Sequence, residues 1–258
     1  MIRLGTAGWA TPRTSADRFP AEGSGLERYA ARFNAAEINS TFYRSHRPAT
    51  YDRWADTTPE DFRFSVKLPK TITHERRLAD SGELLAVFLA EVGQLGPKLG
   101  PLLIQLPPSL AFDAAVTRPF LESLRSRFDG PVACEPRHPT WFEADAEGAL
   151  TEHRIARVAA DPARVPEAAE PGGWPGLVYV RLHGSPQMYW SSYEPAYLQA
   201  LARRLRGSAA ETWCVFDNTT SGAAAANALD LRALLAGKKA ASGATRPRTR
   251  PAVQVRPC

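Results

Sequence analysis

Cysteine is scarce, with three residues in 258 and no CxxC pair. That excludes a disulfide framework and a thiolate zinc site, and it points to a reducing compartment. No run of 18 apolar residues occurs, so no membrane-spanning helix is expected. A strand-like pattern begins at once, at Met1-Ile2-Arg3-Leu4-Gly5. No leader peptide is therefore expected, and the expected location is the cytoplasm. Several catalytic signatures are also missing. There is no P-loop, no GxSxG elbow, no HExxH and no HxH, and the turn after the first strand, Gly5-Thr6-Ala7-Gly8-Trp9, is not GxGxxG.

Acids are absent from one segment. Between Gly237 and Cys258 the charged residues are Lys238, Lys239, Arg246, Arg248, Arg250 and Arg256. Taking those six from the 32 basic residues leaves 26 against 27 acids, so the formal charge of +5 belongs to the tail. A Pro/Ala/Arg stretch with so little apolar content is expected to be disordered. It divides the chain into a domain over 1–236 and a tail over 237–258. The tail is either a neutral extension or a salt-sensitive tether to nucleic acid.

What is present is an alternation of short apolar runs and amphipathic segments. The runs are Ile2–Gly8, Ala35–Asn39, Phe62–Leu68, Leu102–Leu106, Val132–Glu135, Ile155–Ala160, Leu177–His183 and Trp213–Asp217. Helical spacing appears in Leu26–Phe33, Leu84–Leu95, Val116–Phe128, Tyr197–Leu205 and Gly222–Leu235. The stretch from Asp161 to Gly176 reads mostly as loop. Eight strands alternating with helices predict an α/β protein, a single-domain (β/α)8 TIM barrel, with an open doubly wound sheet as the alternative.

Strand parity then sorts the side chains. Val178, Val180 and Leu182 face the helices, so Tyr179, Arg181 and His183 face inward. Ser65 and Lys67 face inward from the third strand, Gln105 from the fourth, and Glu135 and Arg137 from the fifth. In the second strand Ile38 and Phe42 share one face, and Glu37, Asn39 and Thr41 share the other. Five strands thus send polar groups toward one volume, late in each strand, where barrel enzymes carry their sites.

Seven segments in order carry a resemblance. They are Gly5–Trp9, Glu37–Tyr43, Phe64–Pro69 with Thr73-His74, Gln105–Pro108, Glu135–Pro139, Tyr179–Gly184, and Asp217–Thr219 followed by Ala226-Asn227-Ala228. Together they resemble the DUF72 (YecE-like) family over about Ile2 to Leu235. The resemblance implies a TIM barrel of unassigned function, sometimes described as sugar-isomerase-related.

The expected site residues follow from parity and motif together. Glu37, Lys67, Glu135 and His183 are the acid/base or nucleophilic candidates. Asn39, Tyr43, His74, Gln105, Arg137, His138, Arg181, Trp190 and Asn218 are the substrate-binding candidates. Two acids against Lys67, Arg137 and Arg181 give a positive balance. The arginines are expected to stand unpaired and converge on a phosphate or carboxylate. Lys67 is either such a clamp, a low-pKa base or Schiff-base nucleophile, or the ion-pair partner of Glu37 or Glu135. His138 reads equally as a loop anchor. No cofactor and no metal site are assigned. A divalent metal stays open, because Glu37, Glu135, Asp161, His183 and Asp217 could supply ligands on paper while the cations would repel it.

The leading expectation is an enzyme of isomerase or hydrolase type, acting on a small phosphorylated or sugar-like anion, with no membrane partner. One alternative is a nucleic-acid phosphodiesterase or binder resembling endonuclease IV. Another is a non-catalytic ligand-binding or interaction protein.

Overall fold

The computed structural model describes residues 1–237. The basic tail, and its expected disorder and nucleic-acid role, lie outside the described residues. Ten strands form two sheets. The first sheet has the order β1 (Ile2–Thr6), β10 (Glu211–Phe216), β9 (Leu177–Leu182), β7 (Ala159–Asp161), all parallel. The second has the order β2 (Ala35–Ile38), β3 (Arg63–Lys67), β4 (Leu99–Gln105), β5 (Val132–Glu135), β6 (Ile155–Arg157), β8 (Gly172–Gly173). Only β8 is antiparallel, on β6. Helices α1 (Gly25–Ala30), α2 (Pro48–Thr57), α3 (Gly82–Val92), α4 (Ala114–Arg125), α5 (Ala144–Glu152), α6 (Pro195–Arg206) and α7 (Ala223–Leu235) alternate with the strands.

The ladders do not close into one sheet, and the two seams have different causes. At the first, β1 and β2 meet only in a bridge between Ala7 and Glu37. Side chains replace the missing ladder bonds. Asn34 accepts from Leu4 N at 2.9 Å and donates to Ile2 O at 3.0 Å. The Tyr29 hydroxyl accepts from Thr6 N at 2.7 Å and donates to Ala35 O at 3.0 Å. Gly5 permits this approach, since a Cβ there would collide with the Ala35 carbonyl. At the second seam the expected strand Ile155–Ala160 is broken at Val158. Its N–H bonds to Cys134 O at 2.8 Å, the residues before it pair with β5, and those after it pair with β9.

Two apolar regions result. The larger lies between sheets and helices and includes Ile38, Phe64, Val66, Leu102, Cys134, Val180 and Leu182, as alternation predicts. The smaller is Ala35, Leu103, Ala133, Ala156, Val158, Leu177, Tyr179, Trp213 and Val215. Its alanines Ala133 and Ala156 lie in the neighbouring strands β5 and β6, and the Tyr179 and Trp213 rings stack at 6.1 Å. Polar residues at the carboxyl ends of the parallel strands follow directly on this layer.

The local structure adds detail at two places and corrects one expectation. Helices α2 and α5 have no apolar stripe wide enough to read, because α2 buries only Tyr51 and α5 buries Ala146, Ala149 and Leu150. The Asp161–Gly176 stretch contains a short 3-10 turn, Pro166–Ala169, and the two-residue β8. Phe42 does not share a face with Ile38. The strand ends at Ile38 and a 3-10 turn, Ser40–Phe42, resets the parity.

Candidate functional site

Parallel pairing brings the carboxyl ends of the strands to one end of the molecule. Glu37 lies near the end of β2, Lys67 ends β3, Gln105 ends β4 and Glu135 ends β5. Arg181 lies near the end of β9, and His183 and Asp217 follow β9 and β10. Glu37, Arg181, His183, Glu135, Lys67, Gln105 and Asp217 are all buried.

Arg181 is the centre of the cluster. Its Nε and Nη2 donate to Glu37 Oε2 and Oε1 at 3.0 and 2.7 Å. Nη1 donates to Glu135 Oε2 at 2.5 Å, and Nη2 also donates to Asp217 Oδ2 at 3.1 Å. Four of its five N–H groups are thereby committed to three carboxylates. Glu37 additionally accepts from the Tyr179 hydroxyl at 3.0 Å, which stands 2.8 Å from Ser65 Oγ.

His183 lies between two acids, with Nδ1 3.0 Å from Asp217 Oδ2 and Nε2 3.0 Å from Glu135 Oε1. A neutral imidazole has one N–H, and a carboxylate can only accept, so this geometry calls for an imidazolium. Burial works against that charge, but Glu135 and the two hydrogen bonds raise the His183 pKa. Burial likewise opposes ionisation of Glu135 and Asp217. The Arg181 and His183 charges overcome it, holding Glu135 well below the carboxylate range and lowering Asp217.

The expectation of two uncommitted arginines therefore fails. Arg181 is fully buried and held by three acids. Arg137 donates from Nε and Nη2 to Glu135 Oε1 at 3.1 and 3.0 Å, and from Nη2 to the Tyr189 hydroxyl at 3.2 Å. Its Nη1 makes no hydrogen bond to a described residue. The charge count also changes, because Asp217 supplies a third acid. Three carboxylates then face Arg181, Arg137, Lys67 and a cationic His183, leaving one positive charge in excess.

That excess resides on Lys67. Its amine lies 4.0 Å from the Phe42 ring centroid and makes no hydrogen bond or ion pair with a described residue, so the expected pairing with Glu37 or Glu135 is not seen. Burial, then the Arg181 charge, push the amine down to about 8, against the pull of Glu37, Asp217 and Glu135. The amine is absent from the fully buried unpartnered atoms, and so keeps contact with solvent. His74 is close by. Burial and the charges of Lys67 and Arg137 lower its pKa, its ring meets Phe42 edge-on at 4.9 Å, and Nδ1 is 2.9 Å from Thr73 Oγ1.

The remaining expected residues divide. Tyr43 is 72% exposed beside Phe42, and Trp190 is 51% exposed. His138 caps the turn Pro139–Phe142 through Thr140, and its side chain makes no hydrogen bond to a described member of the cluster. Asn218 is buried in a separate network. Its Nδ2 donates to Ser191 O and Asn227 Oδ1, both at 2.9 Å. Asn39 Oδ1 and Asn218 Oδ1 are buried without partners.

Three contributors lay outside the expected set. Asp217 and Tyr179 were readable, because each continues the inward parity of its strand. Tyr189 was not. Its hydroxyl meets Arg137 and its ring meets His183 at 5.5 Å only because the loop turns at φ 66°. That loop is fastened by the Tyr193 hydroxyl, which accepts from Gly184 N at 2.9 Å and donates to Asp161 Oδ1 at 2.8 Å. Asp161 is thus bound to the loop and stands apart from the Arg181 cluster.

Two cavities open on other residues. One of about 390 Å³ opens among Leu4, Phe33, Asn34 and Leu235 at the opposite end of the strands, and none of its charged residues is buried. Another of about 240 Å³ adjoins Phe42, Tyr43, Leu84 and Val87. Titratable groups with perturbed pKa values converge in the polar cluster. Among the described residues, no three His, Cys, Asp or Glu side chains are arranged to hold a metal ion. No described helix is long and apolar enough to cross a membrane.

The chain matches known proteins along most of its length. A family model described as "Protein of unknown function DUF72" matches residues 3–252. The UPF0759 protein YecE of Escherichia coli is 34% identical over 148 residues, 57% of this chain and 52% of YecE. The UPF0759 protein YunF of Bacillus subtilis is 29% identical over 150 residues, 55% of this chain and 52% of YunF. The chain thus spans about half the length of the curated relatives it matches. A solved DUF72 family protein of Thermotoga maritima superposes with a TM-score of 0.75 at 26% identity, covering 92% of this chain and 99% of that one. A DUF72 family protein of Enterococcus faecalis gives 0.76 at 24%, covering 92% and 96%. The mixed α/β fold is shared with both, and the chain belongs to the DUF72 family.

Proposed function

We propose that the two sheets are halves of one (β/α)8 barrel, and that its mouth binds a small anionic compound for acid/base chemistry. β6 and β7 then count as one interrupted strand, and the Tyr29, Asn34 and Ala7–Glu37 contacts form the closing seam. The observation that carries the functional reading is the excess cation. Every buried carboxylate of the cluster faces Arg181, while Lys67 and the free edge of Arg137 have no acid to themselves. A phosphate or carboxylate would neutralise that excess.

Roles follow from charge state. Arg181 is the structural keystone. Glu135 and Asp217 remain ionised, and His183 remains cationic between them. Lys67, with a pKa of about 8, is the mouth group that can gain and lose a proton near neutrality. The same acids that a divalent metal would need are turned onto Arg181, which favours an anion site over a metal site. The two buried free cysteines, Cys134 and Cys214, suit a cytoplasmic protein.

The test is thermal shift with phosphate, sulfate and small carboxylates, comparing wild type with Lys67→Met and Arg137→Met. Charge-assisted hydrogen bonds contribute roughly 1.5–3 kcal/mol, so either change is expected to weaken binding about 10- to 150-fold. Equal shifts in all three proteins, or none in wild type at millimolar anion, contradict the reading.

A further inference from the structure

We propose that Lys67 forms an imine with an aldehyde or ketone that carries a carboxylate or phosphate, a proposal that rests on the anion site above. An imine-forming lysine needs an uncommitted amine, a desolvated setting and a neighbouring cation to hold the anionic end of the carbonyl compound. Lys67 meets these conditions and the other described lysines do not. Lys70 is paired with Glu75 at 3.1 Å, and the Lys98 amine donates to the Ala55 and Thr58 carbonyls at 2.5 Å.

The position of Lys67 is fixed from both ends. Its backbone is in the β3–β4 ladder opposite Leu103, and its carbonyl accepts from Thr41 Oγ1 at 2.7 Å. Its amine rests on Phe42, whose ring is braced by His74 and Tyr43. The charged groups acting on it are Arg181, Glu37, Asp217 and Glu135, and its own charge, with that of Arg137, acts on His74. The acids among them are held by Arg181, and none comes within ion-pairing distance of Lys67. Arg137 Nη1 is free to hold the substrate's anion.

In the step itself, the neutral amine adds its lone pair to the carbonyl carbon. A C–N bond forms and the C=O π pair moves to oxygen, which takes up a proton. The nitrogen releases one proton to give a carbinolamine. The hydroxyl takes up a second proton and leaves as water as the nitrogen lone pair forms C=N. The resulting iminium releases its remaining proton, so both protons gained by the oxygen are matched by the two lost from the amine. Amine plus carbonyl gives imine plus water, with no oxidant or reductant. His74 Nε2 is free to carry the proton, because Nδ1 is engaged by Thr73. With the amine pushed down to about 8, half of it is neutral at pH 8. An ordinary lysine is neutral there to only about one part in 250.

The experiment is reductive trapping at pH 8 on the full chain. Glyoxylate and glycolaldehyde phosphate serve as separate probes with sodium cyanoborohydride, and the adduct is mapped by peptide mass spectrometry. The expected result is an adduct on Lys67 at least about tenfold above that on Lys70, following the larger neutral fraction, and above that on Lys98, whose amine is held by the Ala55 and Thr58 carbonyls. The more efficient probe identifies carboxylate or phosphate as the preferred anion. Arg137→Met is expected to raise the probe concentration required without moving the adduct. Lys67→Met, checked for folding by circular dichroism, is expected to lose it. Glycolate and glycerol phosphate, which lack the carbonyl, are run by thermal shift in parallel. If they stabilise the protein while Lys67 traps no more than the other lysines, the imine is wrong and the anion site stands. If they do nothing and Lys67 is not trapped, both fail.

Discussion

Replacing Arg181 by Met is expected to destabilise the protein severely. The change removes four charge-assisted hydrogen bonds and leaves three buried acids without their shared cation. Removing one partner of a buried ion pair costs about 3–5 kcal/mol. In a protein of this size each kcal/mol moves Tm by about 2–4 °C, so a fall of roughly 6–20 °C is expected. The loss is not shared equally. Glu135 keeps Arg137 and His183, and Asp217 keeps His183. Glu37 keeps only the Tyr179 hydroxyl. The double variant Arg181→Met, Glu37→Gln should therefore recover part of the loss, by about 1–2 kcal/mol of coupling. Urea unfolding at pH 7, followed by tryptophan fluorescence, measures all four corners of the cycle. A single-variant loss below about 1 kcal/mol, or strict additivity in the cycle, refutes the keystone role.

Three further outcomes are expected. Lys67→Met should stabilise the protein at pH 7 by about 1–3 kcal/mol, because a folded pKa of about 8 lies below the ordinary lysine value. That advantage should shrink between pH 8 and the unfolded lysine pKa, which pH-dependent urea unfolding reads. The His183 pKa is raised, so its stabilisation is complete below the unfolded value of 6.5 and is lost as pH rises through the folded value. His183→Gln should flatten this alkaline decline, and nitrogen NMR of wild type at pH 7 should show both ring nitrogens protonated. Asn227→Ala removes the acceptor shared by Tyr193 N at 3.1 Å and Asn218 Nδ2 at 2.9 Å. Unmet buried donors cost about 1–3 kcal/mol, so hydrogen exchange in residues 184–193 should quicken, and unchanged exchange would count against that anchoring.

Much of the fold was legible because strand parity is strict where both faces are buried. Val178, Val180 and Leu182 could face only the helices, which sends Arg181 inward. The same alternation located Lys67, Gln105 and Glu135. Parity fails where the backbone leaves the strand, as at the turn Ser40–Phe42, and it cannot foresee a strand that changes partners, as at Val158. Helices α2 and α5 escaped notice because α2 buries a single tyrosine and α5 buries two alanines and one leucine.

The site was legible in membership more than in pairing. Residue types at strand ends show which groups converge, but not which donor each acid faces. Asp217 was undervalued, and with three acids instead of two, Arg181 becomes a structural hub and Lys67 is left without a partner. The contact between Tyr189 and Arg137 was not legible, because it depends on a left-handed loop residue that no spacing rule encodes.

The division of labour between Arg181 and Lys67 is tested most directly by a crystal structure grown with phosphate at pH 7. The expected result is an anion bound between Lys67 Nζ and Arg137 Nη1, with Arg181 still held by Glu37, Glu135 and Asp217. An anion on Arg181 with those acids displaced, or Lys67 ion-paired to Glu37 or Glu135 with no anion in the mouth, would contradict it.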